Sequence, residues 1–472
     1  MDFFDRKEEL KRIKEIYDTL ETGEFVVIYG RRRVGKTAFI KRFLETIKAE
    51  HIYYMVQKTG KKELLELPAD SIFDQTGDKV QFFDWKDMLS YLVEKSKSEK
   101  IVMIFDEFSR FQEIAPEFIT QLQDYWDSTL KKNKILLIAI GSSMSMMHQI
   151  FMQNTAPLYG RITYTIHMDP FRYADFRTMF PELNEKEKIA LFSVFGGTPH
   201  FLWFVKKTKK KDVFAILETL VLHPTGRLKD EPTNFITMEL KKDAKYNALL
   251  YAIAKSNGER KEVIHKSGIQ SKDIDYYVNN LEELLSIVEK VIPMFQKRKE
   301  VRYMIKDNYF HFWYKFIFPN SSIIELGNIA LVKEKIKNDL NAYIGQRFEG
   351  IMKELLILYN TKKIKDLDIN FTAIGPWWGK NREGIVEEIE IVANNAQTKD
   401  IILCEVKWTN KPIGTTEVKK LDAKVKYINA SGTFHYLLVS TSGFTEECIQ
   451  YMKEKKVTYL TLDDITALFN NA

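Results

Sequence analysis

Short apolar segments alternate with helical patterns in the first third of the chain. Three runs, at residues 25–29, 101–105 and 134–140, have the length and the almost wholly apolar character of buried strands. Residues 38–47 (AFIKRFLETI) instead repeat apolar side chains at helical spacing. This alternation of strands and helices predicts an α/β core.

The pattern becomes helical after Gly226. Helical spacing recurs over residues 246–254 and 274–285, and a glycine-containing turn at 267–271 precedes the second segment. Residues 287–305 then alternate as a β-hairpin with a basic tip. Helix, turn, helix and hairpin together predict a winged helix. The basic residues of the tip are Lys297, Arg298 and Lys299.

The last third predicts a mixed sheet flanked by helices. An amphipathic helix is expected over residues 344–358, and a lysine-rich helix over 416–428. The predicted strands span residues 388–393, 400–408, 434–439 and 457–460. The aromatic run at 309–318 predicts a buried helix, and Trp377 and Trp378 are expected to wedge the sheet against that linker helix.

Composition excludes several classes of protein. The chain has 472 residues, enough for about three domains, and its 45% apolar and 29% charged residues are typical of a globular protein. It contains no run of 18 uncharged apolar residues and no signal-peptide pattern, so we expect a cytoplasmic protein without membrane contact. Two cysteines, Cys404 and Cys448, are too few for a disulfide framework and are expected to be packed residues.

A phosphate-binding loop follows the first predicted strand. The segment GRRRVGKT has the GxxxxGK[ST] spacing in the strand–loop–helix context that this loop requires. Its backbone N–H groups and the helix N-terminus would bind phosphates, Lys36 would reach the β- and γ-phosphates, and Thr37 would bind Mg²⁺. The expected cofactors are therefore ATP and Mg²⁺. The predicted nucleotide-binding residues are Gly30, Arg31, Arg32, Arg33, Val34, Gly35, Lys36, Thr37 and Ala38.

Carboxylates at the end of the second apolar run complete the predicted ATPase site. Asp106 would hold the Mg²⁺ water shell, and Glu107 would orient or deprotonate the attacking water. The third run ends in Gly-Ser-Ser, so that Ser142 or Ser143 either senses the γ-phosphate or forms a plain turn. Arg161 is predicted either as an arginine finger or sensor or as a structural residue.

These motifs resemble those of the archaeal-type ATPase family, in the AAA+/STAND branch of P-loop NTPases. The resemblance covers roughly residues 1–230 and includes the FDR segment at 4–6, GRRRVGKT, IFDEF, AIGSS, PLYGR and GGTP at 196–199. It implies that residues 4–6 lie near the adenine and that the GGTP segment belongs to a helical lid.

A second set of catalytic residues is predicted in the last third. Glu390 and Glu405 lie on strands joined by a short turn, and Lys407 shares the face of Glu405 because strand side chains alternate. Two carboxylates beside a lysine suit a Mg²⁺ site that hydrolyses a phosphodiester, with Glu390 and Glu405 as metal ligands. A Glu-x-Lys pair is also common on solvated sheet faces, and that alternative stays open.

This segment resembles the PD-(D/E)XK nuclease superfamily and the nuclease-like domain attached to archaeal-type ATPases. The resemblance covers roughly residues 310–472 and matches Glu349 to the helical acid, Glu390 to the first acid, and Glu405 and Lys407 to the E-x-K pair. Glu390 departs from the usual Asp. The resemblance implies a restriction-endonuclease-like mixed α/β fold.

Charge is concentrated in the middle of the chain. Residues 206–315 carry 22 Lys and Arg against 15 Asp and Glu, whereas the whole chain has 71 against 65. A basic segment suits a polyanion, so we expect DNA as a partner of the winged helix, with a purely inter-domain role as the alternative. The predicted domains are a P-loop core (1–175), a helical lid (176–230), a winged helix (231–318) and a nuclease-like domain (319–472).

The sequence predicts an ATP-hydrolysing protein whose nucleotide state controls a DNA-binding or DNA-cleaving C-terminal module. The alternative is a STAND-like switch, in which ATP drives homo-oligomerisation and the nuclease-like domain is inactive.

Overall fold

The chain folds as two compact units. The computed structural model describes residues 4, 6–47, 50–240, 243–296 and 300–471. One unit comprises Met1–Pro170 with Glu283–Leu285, and the other comprises Phe171–Glu282 with Ser286–Ala472. The first unit ends close to the boundary predicted at residue 175. The segments predicted as a lid, a winged helix and a nuclease-like domain lie in the second unit, except for Glu283–Leu285 of the predicted winged helix.

The first unit is built on a parallel sheet with the strand order β2-β3-β4-β1-β5. Its strands are β1 (Glu24–Tyr29), β2 (Glu50–Met55), β3 (Ile101–Asp106), β4 (Ile135–Gly141) and β5 (Tyr164–His167). Strands β1, β3 and β4 confirm the three apolar runs. Because side chains alternate along a strand, Phe25 and Val27 join one apolar cluster and Val26 and Ile28 join another.

Helices cover the two faces of this sheet. They are α1 (Lys7–Asp18), α2 (Lys36–Leu44), α3 (Lys61–Thr76), α4 (Trp85–Lys95), α5 (Arg110–Ile114), α6 (Pro116–Ser128) and α7 (Met144–Met147). Each strand of a parallel sheet runs in the same direction, so the loops after β1, β3 and β4 meet at one edge.

The second unit begins with helices. These are α8 (Tyr173–Met179), α9 (Glu185–Phe195), α10 (Pro199–Lys207), α11 (Val213–Leu217), α12 (Glu231–Leu240), α13 (Asp243–Ala254), α14 (Arg260–Ser267), α15 (Ile274–Asn279), α16 (Asn308–Phe312), α17 (Ser321–Glu325) and α18 (Ile329–Leu358). Gly197 of the GGTP segment allows a close approach to the preceding loop, because a Cβ at this position would lie 1.8 Å from the carbonyl oxygen of Phe171.

A five-stranded mixed sheet forms the core of the last third, as predicted. Its order is β10-β11-β12-β13-β14, with the first two pairings antiparallel and the last two parallel. Two separate hairpins pair β6 with β7 and β8 with β9. The strands are β6 (Val288–Val291), β7 (Arg302–Ile305), β8 (Lys362–Ile364), β9 (Leu367–Ile369), β10 (Ala373–Lys380), β11 (Val386–Asn394), β12 (Asp400–Lys407), β13 (Thr433–Ser440) and β14 (Thr458–Leu460).

The remaining helices flank this sheet: α19 (Thr415–Lys424), α20 (Glu446–Glu454) and α21 (Leu462–Asn471). Cys404 and Cys448 are free and buried, as expected. The role predicted for the tryptophans is wrong. Trp377 packs in the apolar cluster that includes Val418 and Leu421 of α19, and the Trp378 ring centroid lies 4.2 Å from the Arg302 guanidinium of β7.

Helix α18 is much longer than the segment predicted at 344–358, because it starts at Ile329 and runs for 30 residues. Its Glu354 carboxylate accepts hydrogen bonds from the backbone N–H groups of Tyr173 and Ala174, both at 2.9 Å. These two groups lie in the first turn of α8, where backbone donors have no partner within the helix. A side chain of α18 therefore caps α8.

Candidate active sites

The phosphate loop joins the end of β1 to the start of α2. A Cβ on Gly30 would lie 2.3 Å from the carbonyl oxygen of Met168, and Gly35 has a φ of +93°, so both positions require glycine. Lys36 is buried, and its Nζ donates to the carbonyl oxygens of Gly30 at 2.7 Å and Arg31 at 3.0 Å. Lys36 Nζ therefore lies within the loop, at the place where the sequence predicts that phosphate groups bind.

Asp106 lies at the carboxyl end of β3 and meets the loop. Its Oδ2 accepts a hydrogen bond of 3.0 Å from Thr37 Oγ1, and its Oδ1 accepts one of 2.9 Å from the Glu107 backbone N–H. The structure therefore brings together the two residues predicted to bind Mg²⁺. A hydroxyl and a carboxylate are hard oxygen ligands, so this pair fits that ion.

Glu107 is held in an unusual conformation. Its φ of +58° lies in the left-handed region, which costs a non-glycine residue about 1–2 kcal/mol. Ser142 follows β4, the strand between β1 and β3, and its Oγ donates to Glu107 Oε1 at 3.0 Å. Of the two serines considered from the sequence, the structure brings Ser142 to the carboxylate, whereas Ser143 Oγ lies 3.3 Å from Ser145 Oγ.

Tyr53 is a site residue that the sequence analysis missed. It lies in β2, next to β3, and its hydroxyl donates to Asp106 Oδ2. Burial and this hydrogen bond to a carboxylate raise the pKa of Tyr53, so the hydroxyl keeps its proton and remains a donor. Nothing in the sequence around Tyr53 indicates that this side chain contacts Asp106, which lies far along the chain.

Arg161 lies away from the phosphate loop. Its Nη2 lies 2.7 Å from Asp127 Oδ2 near the end of α6, and Nη1 donates to the carbonyl oxygens of Pro157 and Tyr159. Thr163, two residues later, bonds to Phe25 at the start of β1, so Arg161 lies at the amino edge of the sheet. The loop lies at the opposite, carboxyl edge. The structure therefore fits the structural role for Arg161 and does not bring it to the nucleotide site of its own chain.

Arg6, near the N-terminus, contacts the segment that packs against the phosphate loop. Arg6 is buried, and its guanidinium donates to the Asp169 carbonyl oxygen, one residue after the Met168 that packs against Gly30. Asp5 lies outside the described residues. The position of the adenine stays a prediction.

The second site lies on two neighbouring strands, as the sequence predicts. Ile391 of β11 pairs with Cys404 of β12, which brings Glu390 beside Glu405. Lys407 Nζ lies 3.0 Å from Glu390 Oε1 and also donates to Glu405 Oε1. One ammonium group therefore bridges the two carboxylates.

The carboxylates of this site differ in their pKa values. Burial and the charge of Glu405 raise the pKa of Glu390 to about 7. Burial also opposes ionisation of Glu405, but the charges of Lys407 and Lys424 outweigh it and lower the pKa of Glu405. Glu349, on α18, has a pKa raised to about 8 by burial and by the charge of Glu390. Glu349 therefore lies close enough to Glu390 for their charges to interact.

Lys424 is a second residue that the sequence analysis did not single out. It is the last residue of α19, and its Nζ lies 3.1 Å from Glu405 Oε2 and 2.6 Å from the Glu388 carbonyl oxygen. The sequence shows a lysine-rich helix there, but it does not show which lysine points at the sheet.

The second site also fits a divalent cation. Glu390 Oε2 is buried and has no hydrogen-bond partner among the described residues. Mg²⁺ is often bound by one or two carboxylates together with water and phosphate oxygens. Among the described residues, no three acidic, histidine or cysteine side chains form a metal site by themselves, so such a cation would need those further ligands.

The segment predicted as a winged helix contains the required elements. Helices α13, α14 and α15 precede the antiparallel hairpin of β6 and β7. The helix expected from about Ser271 begins at Ile274, and Arg260 of α14 pairs with its Asp275 at 3.1 Å. Lys297, Arg298 and Lys299 of the hairpin tip lie outside the described residues. The winged-helix assignment and its contact with DNA stay predictions.

Comparison with known proteins identifies the family. An ATPase domain found predominantly in Archaea matches residues 3–205. The uncharacterized protein MJECL04 of Methanocaldococcus jannaschii is 32% identical over 421 residues, which cover 89% of this chain and 90% of that protein. The chain belongs to this archaeal ATPase family. The uncharacterized ATP-binding protein MJ0423 of the same organism is 46% identical to this archaeal ATPase over 46 residues, 10% of this chain and 76% of that protein.

A solved structure supports the fold of this archaeal ATPase. The Walker-type ATPase PABY2304 of Pyrococcus abyssi superposes with a TM-score of 0.51 at 17% identity, covering 66% of this chain and 96% of that protein. Residues 313–423, which include Glu349, Glu390, Glu405 and Lys407, match a family of archaeal and bacterial proteins of unknown function. None of the described helices is long and apolar enough to cross a membrane.

Proposed function

We propose that this archaeal ATPase uses its nucleotide state to control DNA binding and DNA cleavage by the second unit. The observation that carries the cleavage half is the Lys407 ammonium bridging Glu390 and Glu405 on neighbouring strands. DNA as the partner of this protein is supported by the excess of Lys and Arg over Asp and Glu in residues 206–315.

At the phosphate loop, the residues divide the work of ATP hydrolysis. Lys36 binds the β- and γ-phosphates in place of the loop carbonyls that it contacts here. Glu107 orients the attacking water and takes its proton, and Ser142 holds that carboxylate through its Oε1. Thr37 and Asp106 would hold Mg²⁺, which supplies charge compensation for the phosphates when bound.

At the second site, the acidic residues and the lysine would act on a phosphodiester. Glu390 and Glu405 would hold a divalent cation, which supplies an activated water and charge compensation when bound. Lys407 carries a raised pKa, because the charges of Glu390 and Glu405 outweigh the effect of burial, and it therefore stays protonated. A protonated lysine next to the scissile phosphate stabilises the extra negative charge of the transition state.

Two variants test this assignment on the full chain. In Lys36→Ala, we expect ATP hydrolysis to fall at least about 100-fold, because a direct phosphate contact is lost. In Lys407→Ala, we expect Mg²⁺- or Mn²⁺-dependent cleavage of DNA to be lost while ATP hydrolysis is unchanged. Lys41→Ala, on the exposed face of α2, is the matched control for the first variant. Absence of cleavage of single- and double-stranded DNA under all nucleotide and metal conditions would refute the nuclease half.

A second candidate function is supported by the contacts of Glu405. Both of its oxygens bind lysines, Lys407 at Oε1 and Lys424 at Oε2. Two ammonium groups on one carboxylate satisfy it without a metal, which favours an inactive nuclease-like module in an ATP-driven oligomerising switch. Light scattering with and without ATP distinguishes the two functions, since assembly without DNA cleavage supports the switch.

A further inference from the structure

The excess of positive charge in the middle of the chain is concentrated in one short segment. Residues 206–211, which we call the lysine run, contain five lysines and no acidic residue. Residues 212–315 carry 17 Lys and Arg against 15 Asp and Glu. The run begins in the last turn of α10 and ends before α11. Most of the excess charge that suits a polyanion therefore lies before the segment predicted as a winged helix.

Three side chains of the lysine run have no acidic partner. Lys207, Lys209 and Lys211 are exposed, and none of them forms an ion pair within the described part of the chain. Lys210 is also exposed, and its Nζ donates to a neutral acceptor, Thr219 Oγ1, at 2.7 Å. These ammonium groups can therefore form charge-assisted hydrogen bonds with an anion from solution.

The acidic residues that follow the lysine run have other partners. Asp212 accepts a hydrogen bond of 2.7 Å from the Ala215 backbone N–H in the first turn of α11. Glu218 pairs with Lys333 at 2.7 Å, and the charges of Lys333 and, less strongly, Lys210 lower its pKa. An anion bound to the run does not have to displace either carboxylate from its partner.

Helix α10 places aromatic rings beside these charges. Trp203, Phe204 and Lys207 lie within about one turn of each other on the same side of the helix. Both rings are half-buried, their centroids are 4.9 Å apart, and Lys207 Nζ lies 3.8 Å from the centroid of Trp203. The other side of the helix packs into the protein through Phe201, Leu202 and Val205. The outer face of α10 thus combines aromatic and cationic side chains.

We propose that the outer face of α10 and the lysine run bind single-stranded DNA. This inference rests on the proposed function, because it gives a place to the DNA binding of the second unit. The lysines pair with backbone phosphates, and unstacked bases stack on the aromatic rings. A duplex keeps its bases stacked on one another, so these rings favour a single strand.

The contact between Lys207 and Trp203 does not prevent this binding. A cation–π pair at the protein surface is weaker than the stacking of a base on the same ring. A phosphate group attracts the Lys207 ammonium away from the indole, and the attached base takes its place on the ring. Both side chains then contact the same nucleotide.

The test measures binding of the full chain to a labelled oligothymidylate of about 30 nucleotides, by fluorescence anisotropy in EDTA at several salt concentrations. The first variant combines Lys207→Gln, Lys209→Gln and Lys211→Gln. We expect it to bind at least about tenfold more weakly than the wild type, through loss of phosphate contacts. The dependence of affinity on salt should become shallower by about 2 in logarithmic slope, because each contact with a single strand contributes about 0.7.

Helix α20 provides a matched control. Lys453, Lys455 and Lys456 are exposed lysines at its end, and Lys456 has a left-handed backbone, with a φ of +56°, as Lys209 has with +55°. Changing these three lysines to Gln should leave binding unchanged. Lys209→Gly and Lys456→Gly should alter the unfolding temperature alike, because glycine adopts this backbone conformation readily, but only Lys209→Gly should weaken DNA binding.

Trp203 separates stacking from charge. Trp203→Ala should weaken binding about tenfold without changing the salt dependence, whereas Trp203→Tyr should bind nearly as tightly as the wild type, because an aromatic ring is kept. A duplex of the same length should bind more weakly than the single strand. A duplex that binds the wild type as tightly as the strand would overturn the single-stranded assignment.

A variant of the predicted winged helix distinguishes this inference from the proposed function. Lys261 and Lys272 are exposed there, and both are changed to Gln. Loss of binding in this variant, with normal binding in the lysine-run variant, overturns the inference and leaves the proposed function standing. Equal losses in the lysine-run and α20 variants also overturn it. If the wild type binds no DNA even at low salt, both the inference and the DNA-binding function fail.

Discussion

The two candidate sites hold their carboxylates by opposite means. In the first unit, the side-chain partners of Asp106 and Glu107 are neutral hydroxyl groups, those of Thr37, Tyr53 and Ser142. In the second unit, the partners of Glu405 are the ammonium groups of Lys407 and Lys424. Hydroxyl donors orient a carboxylate and leave its negative charge for a cation, whereas ammonium groups neutralise it.

The two sites therefore require different changes before they can act. In the first, the carboxylates keep their negative charge for a cation, and Lys36 has to leave the carbonyl oxygens of Gly30 and Arg31 before it can contact a phosphate. The second requires a lysine to move away from Glu405 if a cation is to bind both oxygens of that carboxylate.

The largest effect is expected for Glu107→Gln. The variant keeps the shape and the hydrogen-bonding capacity of the side chain but cannot take a proton, so ATP hydrolysis should fall about 100-fold or more. ATP binding, measured by equilibrium dialysis, should remain. The corresponding change in the other site, Glu405→Gln, should leave ATP hydrolysis at the wild-type rate, and loss of hydrolysis there would remove the independence of the two sites.

A smaller effect is expected for Lys424→Met. Removing this ammonium frees Glu405 Oε2, and we expect the affinity for Mn²⁺ in the absence of nucleotide to rise about tenfold, as less charge competes for the carboxylate. Calorimetric titration of the full chain measures this change. Lys420→Met, in the same helix but paired with Glu417 at the surface, is the matched control. Equal Mn²⁺ affinity in both variants would mean that Lys424 does not oppose metal binding.

The pH dependence of stability probes the same site. Glu349 and Glu390 have pKa values raised to about 8 and about 7. The folded chain therefore binds these protons more tightly than the unfolded chain. Their contribution to stability falls as the pH rises from about 5 to about 8, by at most about 1.4 kcal/mol per pH unit for each group. Urea unfolding in EDTA at a series of pH values should show this slope.

Glu349→Gln should flatten the upper part of that profile, because the amide does not titrate. Glu334→Gln, an exposed glutamate of the same helix, should leave the profile unchanged. A Glu349→Gln profile that coincides with the wild type would contradict the interaction between Glu349 and Glu390.

The smallest effect is expected for Tyr53→Phe. The loss of one hydrogen bond to Asp106 should cost about 1 kcal/mol of stability. It should also raise the Mg²⁺ concentration needed for half-maximal ATP hydrolysis, because the carboxylate is less firmly oriented. A purely structural tyrosine would lower stability without changing the Mg²⁺ dependence.

The phosphate loop could be predicted in full because its residues are adjacent in sequence and its spacing is set by the loop itself. Asp106 and Glu107 could be predicted because they end a buried strand. Tyr53 could not, since its contact with Asp106 depends on which strand pairs with β3.

The position of Arg161 could have been predicted better from chain direction. It comes just before β5, and residues that precede a strand of a parallel sheet lie at the edge opposite to the phosphate loop. The motif alone left both a nucleotide contact and a structural role open for Arg161. Strand β10 was missed for a different reason, since its Gly-Pro sequence is unfavourable for a strand interior, and the structure accommodates it with a register shift between Gly375 and Trp377.

Helix α18 makes a mechanical connection within the second unit. Its 30 residues form a rod about 45 Å long. Within six residues, the rod carries Glu349 beside the acidic strands and Glu354, which caps α8. Helix α8 is the first helix after Pro170, where the chain leaves the nucleotide-binding unit. Because Glu349 and Glu354 lie less than two turns apart on one continuous helix, a displacement of α18 at its contact with α8 also moves Glu349.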